Sequence, residues 1–211
     1  MDADERRQQR VEFLCTVLLA VAAVATAWTT YQSQRWRGEQ AADSTKATAA
    51  HVESSQASTR AGQLTQIDIA TFTQWVDADA AGKGKLARFY RRRFRKEFRP
   101  AFAAWISTSP LTNPGAPLTP FAMRQYRVAE AVRSERLNTA AGVHANAAGK
   151  ANERAGDYVL ALVLFAVALF FAGMSTKLRS LGKQEVLLAL GWVVFLGTAV
   201  WVATFPVTLS V

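Results

Sequence analysis

Residues 88–100, RFYRRRFRKEFRP, hold seven basic side chains, one acid and four aromatic rings. Guanidinium groups recognise phosphates and carboxylates through paired hydrogen bonds. The stretch can therefore grip nucleic acid, rest on anionic lipid headgroups, meet an acidic protein neighbour, or serve as one face of a helix. Its rings at 90, 94 and 98, continued by the ring at 102 beyond Pro100, recur every four residues and predict a single inward stripe on a helix. That leaves Arg91, Arg92, Arg93, Arg95, Lys96 and Arg99 on the remaining surface as candidate contacts to an anionic surface.

Other reactive side chains are sparse. His51 and His144 are the two histidines, and Cys15, inside an apolar run, is the single cysteine, so neither an internal disulfide nor a cysteine-based zinc site is available. On antiparallel helices the histidines are offset by about six residues, or ~9 Å, too far for simple shared metal ligation. Asp77 and Asp79 in WVDADAAGKGK lack the further oxygen ligands of a calcium loop and the Gly-Lys-Ser/Thr of a phosphate loop, and AAGKGK predicts a helix stop. No serine, histidine and acid stand in a pattern that marks a nucleophile, so the chain is read as non-enzymatic, with no catalytic or metal residues and no cofactor.

The chain has 211 residues, a formal charge of +9 and 50% hydrophobic residues. Such charge and such hydrophobicity coexist only if segregated along the chain. Three runs satisfy the need for about 20 apolar residues to cross ~30 Å of hydrocarbon: 11–31, 158–176 and 186–206. The last two are separated by a basic turn at 177–185, and tails at 1–10 and 207–211 complete the division of the chain. Arginines 6, 7 and 10 before the first span, with Ala25-Thr26-Ala27 inside it, imitate a secretory signal, but the run is read as an uncleaved anchor. Trp28, Tyr31, Tyr158 and Trp201 near span ends suit the headgroup level. Thr16, Thr26, Thr29 and Thr30 are the candidate pore-facing or helix-packing residues, since a ring of hydroxyls in an oligomer could contact water. Gly173, Gly191 and Gly197 permit close helix approach.

Basic residues near the short flanks set the expected orientation. The decapeptide's arginines, and Lys177, Arg179 and Lys183 in the turn, place the N-terminus in the cytoplasm and the middle segment and C-terminus outside. The middle segment, 32–157, has its internal prolines after Pro100 gathered in a loop at 107–120, and long breaker-poor flanks on either side. The expected fold is all-α: three transmembrane helices, with a long helical-hairpin stalk and a small helical head between spans one and two. Leu64, Ile67, Phe72, Trp75 and Val76, then Leu86, the aromatics from Phe89 to Trp105 and Ile106, and Phe121, Met123, Tyr126, Val128, Val132 and Leu137 are the expected core of that head.

WTTYQSQRWRGEQAA, LTQIDIATFTQWVDADAAGK, FYRRRFRKEFRPAFAAWISTSPLTNPGAP and VLFAVALFFAGMSTK resemble a family of uncharacterised three-span bacterial inner-membrane proteins. The resemblance covers nearly the whole chain, though its arginine-rich stretch is more basic than is usual in that family. It implies a bacterial inner-membrane location and no assigned catalytic or binding residue. The expected function is an oligomeric membrane scaffold or sensor with an extracytoplasmic helical domain. The expected partners are membrane lipids, further copies of the chain, and an anionic lipid or acidic protein. An oligomeric channel is one alternative. A cytoplasmic polybasic head binding anionic lipid or nucleic acid is another, though nucleic acid is disfavoured by the expected orientation.

Overall fold

The computed structural model describes residues 3–178 and 180–207. Arg179 and the tail residues 1–2 and 208–211 lie outside the described residues. The described chain is all-helical: α1 (Ala3–Ala80), α2 (Gly84–Arg93), α3 (Arg99–Ile106), a short 3-10 turn (Pro120–Ala122), α4 (Ala129–Ser175) and α5 (Leu181–Ala203). α1 can run so long because no proline interrupts it and its two glycines, Gly38 and Gly62, need no special conformation. Many of its hydroxyls fold back on the preceding turn, as Thr45 does onto the Ala41 carbonyl at 2.9 Å and Thr59 onto Ser55 at 3.0 Å. α1 ends on glycine. Gly82 takes φ +70°, its N–H donates to the Asp79 carbonyl at 3.0 Å, and the Lys83 N–H donates to Ala78 at 2.9 Å. That crossed pair is the left-handed helix stop for which a residue without Cβ is best suited.

The chain divides into two compact units: residues 1–45 with 145–211, and residues 46–144. In the first unit α1, α4 and α5 each carry a stretch long and apolar enough to cross a membrane. Only 22%, 33% and 22% of those stretches is buried within the protein. Phe13, Val24, Phe170, Val193 and Val200 all face outward. A water-soluble fold would have to hide such surface, whereas hydrocarbon accepts it.

The interior of this unit is built from small residues between larger ones. Cys15, Leu18 and Ala22 meet Phe165, Ala168 and Ala172, with Leu188 and Phe195 from α5. A Cβ on Gly191 would lie 3.2 Å from Leu18 Cδ2, 3.3 Å from the Ala168 carbonyl oxygen and 3.4 Å from Phe171 Cβ, so this glycine permits the close approach. By contrast, a Cβ on Gly173 or Gly197 would meet nothing within 4 Å. Cys15 Sγ donates to the Ala172 carbonyl at 3.3 Å and Ser33 Oγ to the Ala155 carbonyl at 3.3 Å. Arg7 holds Glu185 in a two-pronged pair, Nε to Oε1 at 2.6 Å and Nη2 to Oε2 at 2.8 Å. Tyr158 is buried within the protein. Its ring meets Phe205 edge-on and its hydroxyl donates to the Pro206 carbonyl at 3.3 Å. The tyrosine needs that partner because its phenol has left water.

The second unit is organised around Phe94, Phe98, Phe102 and Trp105, with Phe72, Trp75, Phe121, Met123 and Tyr126 packed against them. Edge-to-face contacts dominate, for example Phe72 with Trp105 at 5.3 Å and Trp75 with Phe102 at 4.8 Å between centroids. Ile67, Val76, Leu86, Phe89, Ile106 and Val132, expected in this core, are exposed. Away from the rings, α1 and α4 meet through hydroxyls: Ser54 Oγ donates to the Ser134 carbonyl at 2.9 Å and Ser134 Oγ returns to the Ser54 carbonyl at 3.0 Å. The loop at 107–119 is pinned by the Trp105 indole N–H on the Pro117 carbonyl at 2.7 Å.

Candidate functional site

The arginine-rich stretch is not one helix. α2 stops at Arg93, Phe94 adopts φ −55° and ψ 138°, and α3 begins only at Arg99. Pro100, in the first turn of α3, cannot lie inside one continuous helix, because it has no N–H to donate and its ring would clash with the carbonyl four residues back. Phe94 and Phe98 both enter the aromatic core, and a bent connection between them lets intervening polar groups reach partners in different directions. Tyr90, the first ring of the expected stripe, stays half-buried beside Phe89 at 5.5 Å and is not part of that core.

Among the described residues, two of the six candidate basic residues make hydrogen bonds or ion pairs. Arg99 reaches back over the end of α2: Nε donates to the Phe94 carbonyl and Nη2 to the Arg92 carbonyl, both at 2.8 Å. These are carbonyls that a helix end leaves without intrahelical donors. Arg95 turns inward, pairing with Glu97 and approaching Asp68 Oδ1 at 3.6 Å. Glu97 also accepts the Ala129 N–H at 3.4 Å, at the first residue of α4. Asp68 is fully buried, and its Oδ2 accepts the Tyr126 hydroxyl at 3.2 Å. Burial pushes the Asp68 carboxyl above the usual range, a shift opposed by Arg95 and by the Tyr126 hydrogen bond and reinforced by Glu97. Burial likewise raises Tyr126.

Arg91, Arg92, Arg93 and Lys96 are exposed. The Arg93 guanidinium lies 3.6 Å from the centre of the Phe89 ring, and that of Arg91 lies 5.9 Å from the centre of Phe102. Arg88, Arg91, Arg92 and Arg99 surround a cleft of about 500 Å³ whose apolar wall includes Phe94 and Phe102. A second cleft of about 510 Å³ is lined by Trp75, Val76, Phe102, Trp105, Ile106 and Leu111, with Asp79 and Arg91 also on its lining. The two clefts share Arg91 and Phe102. Each has the size of a small-molecule site.

The other candidate residues are dispersed. His51 is exposed on α1 and His144 is half-buried on α4, and among the described residues no group of three or more metal-ligating side chains gathers. Asp77 and Asp79 contribute backbone carbonyls to the α1 stop. Thr16 donates to the Glu12 carbonyl at 2.9 Å, Thr30 to Thr26 at 2.8 Å, and Thr29 to Ala25 at 3.0 Å. Thr16 and Thr30 face outward, Thr29 is buried, and Thr26 is half-buried with a hydroxyl that finds no hydrogen-bond partner.

Asp68, Arg88 and the Trp75–Trp105 slot escaped the sequence reading. A helical face carries Leu64, Asp68, Phe72 and Trp75 together, and an acid on an aromatic stripe is the signal that points to Asp68. No family model matches the chain, and no curated protein or solved structure matches it either.

Proposed function

We propose that this is a multi-pass membrane protein that acts as a non-enzymatic sensor or scaffold, with residues 46–144 as the part that meets a ligand or partner outside the bilayer. One observation carries the proposal: α1 and α4 each run without a break from a membrane-length apolar stretch into the unit that holds the aromatic core. An unbroken helix transmits a shift or rotation along its length better than a jointed one. In this reading the middle segment is a helical stalk and head on the extracytoplasmic side of a bacterial inner membrane. Several copies assemble, covering Val52, Ile67, Ile69, Val132 and Val143, which are exposed in the single chain.

Cysteine accessibility tests the orientation, and the mass of the assembly tests the oligomer. In a Cys15→Ser background, Gly115→Cys should react with an impermeant maleimide in intact cells, and Ser180→Cys should react only after lysis. The purified protein in mild detergent should have the mass of several chains. Labelling of position 180 alone, or a monomer that captures no partner, would defeat the reading.

A second reading, an arginine surface docked on an anionic neighbour, is favoured by the exposure of Arg91, Arg92, Arg93 and Lys96. It predicts retention on vesicles containing phosphatidylglycerol that weakens as salt rises.

A further inference from the structure

The two clefts of the second unit have opposite chemistry and a common wall. One is apolar and flat-sided, with Trp75, Phe102 and Trp105 as its rings and Ile106 and Leu111 as aliphatic edges. The other is ringed by the guanidinium-bearing residues Arg88, Arg91, Arg92 and Arg99. Arg91 and Phe102 line both. Of the four arginines, Arg99 is committed to the α2 carbonyls, while Arg88 and Arg92 make no ion pair among the described residues. Unpaired guanidiniums at the rim of a concave surface favour an anion that can accept two parallel hydrogen bonds. Asp79 is the carboxylate on the apolar slot's lining, and it disfavours a second negative charge at that end.

We infer that this paired cleft binds a small amphipathic monoanion: a flat apolar body lies in the Trp75–Phe102–Trp105 slot while its single acidic group meets Arg91, Arg88 and Arg92. Neither half suffices alone. The slot gives burial without orientation, and the arginines give a charge site that any hydrated anion can visit weakly. Arg91, at the boundary, couples them. A ligand that carries both features gains both contributions at the entropic cost of one binding event. The inference deepens the sensor reading by giving it a ligand class. The two fail separately, because ligand binding is measured here without reference to assembly or orientation.

The test uses the full chain in nanodiscs of neutral phosphatidylcholine, titrated calorimetrically with 2-naphthoate, with 2-naphthylmethanol and with inorganic phosphate, after subtraction of empty discs. The expected result is saturable one-to-one binding of 2-naphthoate that weakens with salt, and at least ten-fold weaker binding of the neutral alcohol and of phosphate. Arg91→Gln should weaken 2-naphthoate at least ten-fold, as should Arg88→Gln with Arg92→Gln. All three positions are exposed, so tryptophan emission should show these variants folded. Absence of saturable binding to folded wild-type protein, equal binding of the alcohol, or undiminished binding in both variants would overturn the inference. Discs containing phosphatidylglycerol should leave 2-naphthoate affinity unchanged. Its loss there would mean that the arginines face lipid headgroups, and would overturn the free-ligand site as well.

Discussion

Asp68 and Arg95 face each other at 3.6 Å, Oδ1 to Nε, with the Asp68 side chain wholly withdrawn from solvent. The pair is largely withdrawn from solvent, and its surroundings are uneven. Tyr126, in the segment before α4, donates to the Asp68 carboxylate, while Glu97 competes for Arg95. Removing one partner of such a buried pair strands the other. Arg95→Met should therefore destabilise residues 46–144 by about 3 kcal/mol where Asp68 is ionised, and by less where it is protonated. Thermal melts followed by tryptophan emission at two pH values would measure the difference.

The pH dependence has a defined sign. Burial raises Asp68 above its ordinary value of 3.8. Between that value and the raised one, the folded unit holds a proton that the unfolded chain has released, so stability falls as pH rises through this window. The contribution is fully present below the ordinary value and gone above the raised one. Asp68→Asn keeps an acceptor for Tyr126 and removes the titration, so its melting temperature should vary less with pH across the window than that of the wild type. Parallel curves for the two proteins would show that Asp68 does not titrate there.

Arg99 tests whether the basic stretch is surface chemistry or architecture. Its fork closes two carbonyls at the end of α2, Phe94 and Arg92. Arg99→Lys keeps the charge but has no planar fork to reach both, and should cost roughly 1 kcal/mol in the melting of this unit. Arg93→Lys, at a site whose recorded partner is the Phe89 ring, should cost little. Equal effects at 93 and 99 would argue against the capping role.

Most of the fold was readable because membrane spans announce themselves by composition. A run such as YVLALVLFAVALFFAGMST admits few other fates, and glycine at 82 correctly marked the end of α1. The break at 94–98 was not readable. Pro100 signals that a helix must begin anew near it, but nothing in RFYRRRFRKEFR marks where the preceding helix stops, and its four-residue ring spacing satisfies a helix as well as the observed bend does. What decides between them is tertiary: Phe94 and Phe98 fill one core while Arg95 and Glu97 find Asp68 and Ala129, residues far away in sequence. The arginine cluster was visible as composition, but the slot beside it depends on Trp75 and Trp105 converging from α1 and α3.

Gly82 at φ +70° carries the stop of α1. Gly82→Ala should cost about 1–2 kcal/mol, and Gly82→Asn less, because asparagine tolerates the left-handed region. Nothing lies within 4 Å of its absent Cβ, so the penalty would be one of backbone rather than of packing. Chemical unfolding of the two variants separates this from a general sensitivity of the turn.

Within the membrane unit, Gly191→Ala should destabilise by about 1–3 kcal/mol, since its new methyl would meet the Ala168 carbonyl and the Leu18 and Phe171 side chains. Gly197→Ala, with open space at the same atom, serves as the matched control. Unfolding of the two variants in mixed micelles should show the difference.

The division of the chain also fixes an order of birth. Residues 46–144 form one unit, while the other is assembled from the segments that flank it on both sides. Every residue of the former has been synthesised before the first residue of α5 is added. The Arg7–Glu185 clamp and the seat of Gly191 between Leu18 and Ala168 can form only after α5 has been made. During that interval Leu18 and Ala168 lack their third neighbour, and the nascent membrane unit must wait with one side open to lipid or to the insertion machinery.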